Sequence, residues 1–175
     1  MTLFFLIRHG ETDWSLNEKY HLKGEYRDLP SLTQNGINQA KELANDPRLR
    51  KAEFILSSPY TRALQTAAVI SRIANLDIAV EYDLREWQPD INLEVSNLKQ
   101  LKNAIDDYEN EKGIHPLGIT KSWESKSSLK ERVSGVLNKY LKYDTIGVVT
   151  HEQVIKSLQD VDKIPFCKIY ELIMN

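Results

Sequence analysis

Five side chains that can bind an anion or carry out acid–base or nucleophilic chemistry stand just after apolar runs of this sequence. In chain order they are Arg8, His9, Arg62, Glu86 and His151. Helical patterns separate the apolar runs, so the runs are expected to form strands of a mostly parallel sheet. Ligands of such sheets bind just outside the carboxyl ends of the strands. The five side chains are therefore predicted to meet at one rim.

These residue types suit the transfer of a phosphoryl group. Such a group carries negative charge on its oxygens, so positioning and positive charge supply most of the catalysis. The guanidinium groups of Arg8 and Arg62 are permanently charged, and their planar forks match phosphate oxygens. The imidazole of His9 can attack phosphorus to give a phosphohistidine. Neighbouring arginines should lower the pKa of His9 and keep the ring neutral.

Glu86 is the candidate proton donor of this reaction. It would protonate the departing alkoxide and then take a proton from the attacking water. The chemistry requires no metal or other cofactor, and the four histidines lack the spacing of common metal-binding motifs. His151 would complete the phosphate pocket.

Each of these residues also has a plain structural interpretation. An Arg-His pair is commonly a surface turn, Glu86 could be an exposed acid, and His151 could cap a helix. Arg62 could be a solvated helix residue. It falls in a predicted first helical turn, where the helix dipole disfavours a cation by ~0.3–1 kcal/mol. A bound anion at that point would reverse the effect, and the convergence of all five residues favours a catalytic site.

The elements predicted to position these residues give an α/β fold of three layers, α/β/α, with a mostly parallel central sheet. Thr33 is predicted to cap the first helix, and Ser58 the second, with Pro59 at its first position. The second helix should bury a face formed by Ala63, Ala67, Ile70 and Ile73. Strands are predicted at residues 3–7, 53–58, 78–84, 145–150 and 168–174, and helices at 31–46, 58–75, 94–113, 127–143 and 151–161.

Length and composition narrow the class of protein. The 175 residues predict a single domain, 1–175, with a small cap insertion at about 89–120. The net charge of −2 argues against a partner such as nucleic acid or an anionic membrane. No stretch reaches the ~20 apolar residues of a membrane span, and the N-terminal run lacks the features of a signal peptide. We expect a cytoplasmic protein, which agrees with its single cysteine, Cys167.

The chain resembles the histidine phosphatase superfamily, the phosphoglycerate mutase-like proteins that carry an Arg-His-Gly motif. The segments that carry the resemblance follow the family order and are LIRHGETDW, LPSLTQNGINQA, ILSSPYTRALQTA, YDLRE, WESKSSLKERVSGVL and VVTHEQVIKSL. The resemblance implies a phosphoglycerate mutase-like fold and phosphorylation of His9. It also implies that Arg8, Arg62 and His151 form the rest of the phosphate pocket and that Glu86 is the proton donor.

Some positions depart from the family pattern. Ser15 stands where many relatives have a phosphate-contacting asparagine, and its hydroxyl could donate in the same way. Glu152 replaces a usual glycine beside the second histidine, which could weaken phosphate binding or supply another proton donor. The segment WQPDIN after Glu86 lacks the usual GxWEG continuation. His21 and Gly24 lie in the loop after the nucleophile and are candidate substrate contacts, with a solvated loop as the alternative.

Three functions follow from these observations. The first is a metal-independent phosphatase that hydrolyses a small phosphorylated substrate through phospho-His9. The second is a phosphoglycerate mutase-type phosphotransferase, which would have to shield its intermediate from water. The reduced cap fits the phosphatase better. The third is a phospho-ligand binding or regulatory module with little turnover. The sequence indicates neither the natural substrate nor the oligomeric state.

Overall fold

The central sheet brings together strands from both ends of the chain. The computed structural model describes residues 1–24 and 26–175 in full, and the backbone alone of residue 25. The sheet has the order β3-β2-β4-β1-β5. Strands β1 to β4 run parallel, and β5 pairs antiparallel with β1 at one edge. The strands are β1 Thr2–Arg8, β2 Ile55–Ser57, β3 Ile78–Val80, β4 Thr145–Thr150 and β5 Ile169–Met174.

Helices cover both faces of this sheet. In the described part of the chain they are α1 Ser15–Tyr20, α2 Gln34–Leu43, α3 Thr61–Ala74, α4 Leu98–Asn110, α5 Lys126–Asn138 and α6 Glu152–Leu158. The apolar residues of α2 and α3 pack on one face of the sheet, and those of α5 and α6 pack on the other. The predicted three-layer α/β/α fold with a mostly parallel sheet is therefore confirmed.

Strand β1 joins the two apolar cores. Side chains alternate across a strand, so Phe4 and Leu6 enter the core with α5 and α6, whereas Phe5 and Ile7 enter the core with α2 and α3. All four side chains are at most 1% exposed. A strand buried on both faces reads as a continuous apolar run, which is the pattern that predicted it.

Several element boundaries differ from the prediction. Thr33 caps α2 as expected, and its side chain accepts from the N–H of Gly36. Ser58 is not a helix cap and Pro59 is not a first helical residue, because α3 begins at Thr61 after the N-cap Tyr60. The hydroxyl group of Ser58 lies against His151 instead.

Other differences concern burial and element length. Ile73 is 45% exposed although it falls on the predicted buried face of α3. Strand β3 ends at Val80, and the chain then forms a 3₁₀ turn, Tyr82–Leu84. Helix α5 ends at Asn138, earlier than predicted. Short helix α1 and the 3₁₀ segments Gly24–Asp28 and Pro47–Lys51 were not predicted.

The region 89–120 contains helix α4, which lies within the helix predicted at 94–113. Asn97 caps this helix through the N–H of Gln100. The ring of Tyr108, near its end, packs against Trp87 and Trp123 at centroid distances of 4.5 and 5.2 Å. This contact attaches α4 to the core beside the Glu86 segment. None of the helices in the described part of the chain combines the length and apolar character that crossing a membrane requires.

Candidate active site

His9 lies at the carboxyl end of β1 and presents one ring nitrogen for reaction. Its Nδ1 atom is 2.8 Å from the carbonyl oxygen of Gly10. A carbonyl oxygen accepts only, so this bond assigns the ring hydrogen to Nδ1 and leaves a lone pair on Nε2. The Nε–H of Arg62 donates to that Nε2 atom at 3.2 Å. His9 is 5% exposed.

Arg62 is held in the second position of α3 by contacts on several sides. Its NH1 group forms an ion pair with Asp28 at 2.8 Å, and its guanidinium carbon lies 5.1 Å from the ring centre of Tyr60 and 5.4 Å from that of Trp14. Burial lowers the pKa of His9 to about 3, and the charge of Arg62 contributes to the same shift. His9 is therefore neutral and nucleophilic at ordinary pH.

His151 follows β4 and is completely buried. Its Nε2 atom lies 2.7 Å from the hydroxyl oxygen of Ser58, and its ring centre is 5.1 Å from that of His9. Its Nδ1 atom is buried without a hydrogen-bond partner among the described residues. Burial, followed by the charge of Arg62, lowers the pKa of His151 well below its usual range.

Arg8 is the last residue of β1 and directly precedes His9. Its NH1 group donates to the carbonyl of Ile164 at 2.5 Å and forms an ion pair with Glu152 at 2.8 Å. Its guanidinium carbon lies 4.2 Å from the ring centre of Phe166. Its Nε atom is buried and has no partner within the described part of the chain. Arg8 and His151 thus each have one buried nitrogen without a hydrogen-bond partner among the described residues.

Glu86 comes from the segment after the 3₁₀ turn that follows β3. Its Oε1 atom accepts from the backbone N–H of Trp87 at 2.9 Å. Burial raises the pKa of Glu86 to about 6, while the charges of Arg62 and Arg8 act in the opposite direction. The carboxyl group therefore lies within the electrostatic influence of both arginines. A carboxyl with this pKa can exchange a proton near neutral pH.

Arg132 on α5 clamps the Glu86 segment from behind. Its guanidinium group forms an ion pair with Glu124 at 2.6 Å and donates to the backbone carbonyls of Asp83, Arg85 and Glu86 at 2.6, 2.9 and 3.1 Å. Glu124 also accepts from the N–H of Gln88 at 3.3 Å. One partly buried cation therefore fixes the backbone of the Glu86 segment.

The loop after His9 rests against the start of α2 through two glycines. A Cβ atom on Gly10 would lie 2.6 Å from the carbonyl oxygen of Gly36, and one on Gly36 would lie 2.2 Å from that of Glu11. The N–H of Gly10 donates to Thr66 at 3.0 Å, and the Thr66 hydroxyl donates to the carbonyl of Arg62 at 2.8 Å. These contacts link the His9 loop to both helices on that face.

The sequence-predicted residues fall into two groups. The structure brings together Arg8, His9, Arg62, Glu86, His151 and Glu152, through the hydrogen bonds, ion pairs and electrostatic interactions above. Ser15 is exposed at the start of α1, and its N–H donates to Asp13. His21 ends α1 in a left-handed conformation, φ 48°, and is exposed. Gly24 also has a positive φ, 55°. Substrate contact by Ser15, His21 and Gly24 stays a prediction.

Sequence reasoning missed four residues that contact the site. Asp28 pairs with Arg62, Ser58 contacts His151, Thr12 lies 3.4 Å from His9 Nδ1, and Phe166 lies over Arg8. Ser58 carried a signal, because it directly follows a strand on the same rim as the other candidates. Asp28 ends the 3₁₀ segment Gly24–Asp28, which was not predicted, and Thr12 and Phe166 lie outside the helices and strands, where spacing gives no direction for a side chain. No group of three potential metal-ligating side chains was found in the described residues, and metal independence stays a prediction.

Comparisons with known sequences show relatives of one kind. The profile of the histidine phosphatase superfamily (branch 1) matches residues 4–168. The protein named uncharacterized phosphatase PhoE of Bacillus subtilis is 37% identical over 86 residues, which cover 49% of this chain and 42% of that protein. The probable phosphoglycerate mutase GpmB of Cronobacter sakazakii is 31% identical over 140 residues, covering 79% and 62%. The chain thus spans less than two thirds of the length of these relatives.

Solved structures share the fold. YhfR of Bacillus stearothermophilus superposes with a TM-score of 0.69 at 24% identity, over 90% of this chain and 78% of that one. The mycobacterial glucosyl-3-phosphoglycerate phosphatase Rv2419c, solved with inorganic phosphate, gives 0.68 at 19% identity, over 90% and 77%. At these identities the likeness establishes the architecture.

Proposed function

Because the chain belongs to the histidine phosphatase superfamily (branch 1), we propose that it is a metal-independent phosphatase acting on a phosphomonoester through phospho-His9. The observation that carries this proposal is the state of His9: a neutral buried ring whose Nε2 lone pair faces the guanidinium of Arg62 at 3.2 Å. A nucleophile with its hydrogen fixed on the other nitrogen and a cation beside the attacking atom suits in-line attack on phosphorus.

The reaction has two displacements. The Nε2 atom of His9 attacks phosphorus, the bond from phosphorus to the ester oxygen breaks, and Glu86 gives its proton to the departing alkoxide. Water then attacks the phosphohistidine and gives a proton to the Glu86 carboxylate. The ring leaves with its lone pair restored, and inorganic phosphate is released. Arg8 and Arg62 bind the phosphoryl oxygens throughout.

Two unpartnered nitrogens support a phosphoryl group as the ligand. The Nε atom of Arg8 and the Nδ1 atom of His151 are buried without partners among the described residues, and a buried donor without an acceptor costs about 1–3 kcal/mol. A neutral His151 ring that accepts the Ser58 hydroxyl at Nε2 carries its hydrogen on Nδ1. Phosphoryl oxygens would satisfy both donors.

A phosphoglycerate mutase-type phosphotransferase is the second candidate function. The name of the Cronobacter sakazakii relative favours it. A mutase must exclude water while the phosphoryl group returns to the substrate. The region at about 89–120, which we interpret as a small cap, contains one 13-residue helix, α4. A cap of this size leaves the pocket open to water and favours hydrolysis.

We also propose that the protein is a single domain, 1–175, and that it acts in the cytoplasm.

A binding module with little turnover is the third candidate. The ion pairs of Arg8 with Glu152 and of Arg62 with Asp28 favour it, because both carboxylates would compete with a phosphoryl group. It would bind phosphate esters without releasing inorganic phosphate.

The three functions are separated by assays in the presence of a metal chelator. A phosphatase should hydrolyse p-nitrophenyl phosphate with EDTA present, and His9→Ala should abolish this activity. Rapid acid-free quench with a ³²P-labelled substrate should trap acid-labile label on His9. Exchange of the phosphoryl group between phosphoglycerates would favour the mutase. Binding of phosphate esters without turnover would favour the module. Label on a serine would exclude the phosphohistidine route.

A further inference from the structure

Glu152 places a carboxylate on a guanidinium group that the phosphoryl site requires. It is the first residue of α6 and directly follows His151. Its Oε2 atom lies 2.8 Å from NH1 of Arg8, and its Oε1 atom lies 2.7 Å from Nζ of Lys156. The side chains of Arg8 and Glu152 are 21% and 27% exposed. The pair is therefore partly exposed to solvent, next to His151.

Asp28 adds a second carboxylate on the other side of the site. It lies 2.8 Å from NH1 of Arg62, and its side chain is 16% exposed. Both arginines that would bind the phosphoryl group thus already have an acidic partner. The phosphoryl group itself competes for these donors with several oxygens at once. A further negative charge on the alcohol part of the substrate would face both carboxylates at short range, and like charges at close range repel.

Aromatic rings lie beside Arg8, Arg62 and His9. Phe166 lies over Arg8 and has its ring centre 5.8 Å from that of His9. Trp14, beside Arg62, is 45% exposed. Ring faces pack against apolar groups and attract cations, and they offer nothing to a carboxylate. The surroundings of the two arginines therefore combine aromatic surface with two carboxylates, and Lys156 offsets part of the charge of Glu152.

We propose that Glu152 is a specificity-determining residue, which makes the site select phosphomonoesters of neutral or cationic alcohols over those whose alcohol carries a carboxylate. The selection between esters in hydrolysis rests on the proposed phosphatase function, whereas the selection between esters in binding does not. Glu152 acts by charge: it attracts an ammonium group and repels a carboxylate. This selection also disfavours phosphoglycerates as substrates.

The test compares three small phosphate esters that differ in the charge of the alcohol. O-phosphoethanolamine carries an ammonium group, ethyl phosphate carries no further charge, and 3-phosphoglycerate carries a carboxylate. Release of inorganic phosphate in EDTA gives kcat/KM for each ester. We expect the wild type to prefer O-phosphoethanolamine to 3-phosphoglycerate by at least tenfold. Glu152→Gln should reduce that ratio by roughly fivefold or more, which is the effect of one charge at about 4 Å in water. Ethyl phosphate should change least.

A matched control removes a carboxylate elsewhere. Glu131 is an exposed residue of α5, and Glu131→Gln should leave the ratio unchanged. An unchanged ratio in Glu152→Gln, or a wild-type preference for 3-phosphoglycerate, would overturn the proposal.

Calorimetric binding of the same esters to His9→Ala and to the double variant His9→Ala/Glu152→Gln keeps the test independent of catalysis. If the double variant discriminates less between the esters than His9→Ala does, the role of Glu152 is supported. This holds even if the wild type hydrolyses no ester, and the absence of hydrolysis would contradict only the phosphatase proposal. Equal discrimination by both variants defeats the charge-selection proposal alone.

Discussion

The Nε–H group of Arg62 donates to the Nε2 atom of His9 at 3.2 Å, so the nitrogen that would attack phosphorus faces a fixed cation before any substrate arrives. When a phosphoryl group approaches, the Nε–H group of Arg62 must donate to a phosphoryl oxygen and no longer to His9. The guanidinium charge then faces that oxygen. Asp28 holds the far end of the same guanidinium. The geometry of attack therefore depends on a forked side chain at position 62.

Arg62→Lys tests this dependence. Lysine keeps the charge and loses the planar fork, so it cannot contact His9 or a phosphoryl oxygen and also Asp28 in the same way. We expect kcat for p-nitrophenyl phosphate to fall on the order of 100-fold, as for loss of one oriented donor to developing charge. Arg72→Lys, an exposed position in the same helix, is the control. A loss below threefold in Arg62→Lys would remove the oriented fork from the mechanism.

Glu86→Gln separates acid catalysis from binding. The amide cannot donate a proton to an alkoxide, whereas p-nitrophenolate leaves without one. Hydrolysis of ethyl phosphate should therefore fall at least 100-fold, and formation of phospho-His9 from p-nitrophenyl phosphate should change much less. Steady-state kcat/KM for both esters measures the difference. Equal losses would show that another group donates the proton. Glu152, which directly follows His151, is the alternative candidate.

The pH dependence follows from two pKa shifts of opposite sign. The first step needs neutral His9, whose pKa is lowered to about 3, and protonated Glu86, whose pKa is raised to about 6. For ethyl phosphate, kcat/KM relative to p-nitrophenyl phosphate should be constant below pH 6 and fall about tenfold per unit above it. Taking the ratio reduces the contribution of substrate ionisation. A ratio independent of pH between 5 and 8 would contradict the role of Glu86.

Arg132→Lys tests the clamp behind Glu86. A lysine cannot bind Glu124 and three backbone carbonyls together, so the Glu86 segment should lose its fixed position. We expect kcat for ethyl phosphate to fall about tenfold or more and kcat for p-nitrophenyl phosphate to change less than threefold. Loss of stability alone would reduce the two activities together, which makes the substrate comparison the deciding measurement. Thermal unfolding reports the structural contribution separately.

Substitution of alanine for Gly36 and for Gly135 should change the free energy of unfolding in opposite directions. In Gly36→Ala the new methyl group would lie 2.2 Å from a backbone oxygen, and relieving this clash should cost about 2 kcal/mol or more of unfolding free energy. Gly135 lies in α5, and among the described residues nothing beyond its chain neighbours and the nearby backbone of its own helix lies within 4 Å of the position that a methyl carbon would take there. Gly135→Ala should therefore gain about 0.5–1 kcal/mol. Urea unfolding measures both. A neutral Gly36→Ala would show that the loop moves freely.

Acid should destabilise the protein through its buried histidines. The folded-state pKa of His151 is lowered well below 6.5, so only the unfolded state binds this proton as the pH falls below about 6.5. Stability is then lost by up to about 1.4 kcal/mol per pH unit for this ring. His151→Asn should flatten the fall in unfolding free energy between pH 6.5 and 4.5. His21→Asn, at an exposed position whose φ of 48° asparagine tolerates, should not.

The elements of the fold that were predictable are those in which burial imposes a pattern. The continuous apolar run of β1 and the run of β4 are buried along nearly their whole length, and Thr33 had both the residue type and the position of a cap. Strand β3 was predicted too long, because the alternation through Leu84 matches a strand while the chain actually turns after Val80. Helix α1 has no buried residue, so no apolar stripe marks it.

The candidate site was predictable where strands deliver its residues. Arg8, His9 and His151 stand at strand ends, and parallel strands bring such residues to one rim. Asp28 and Phe166 come from irregular segments whose course depends on tertiary packing. The partner of Ser58 was equally inaccessible, since a serine after a strand and before a helix has the features of an N-cap. The sequence alone does not indicate which residues these side chains contact.

The double burial of β1 has a consequence for how the protein opens. Its side chains anchor the apolar layers on both sides of the sheet, so releasing this strand requires both layers to separate at once. Its backbone amides should then exchange with solvent only through global unfolding, at the slowest rates in the molecule. His9 directly follows this most persistent segment, whereas Trp14 and Phe166, which lie beside the two arginines, belong to turns outside the sheet.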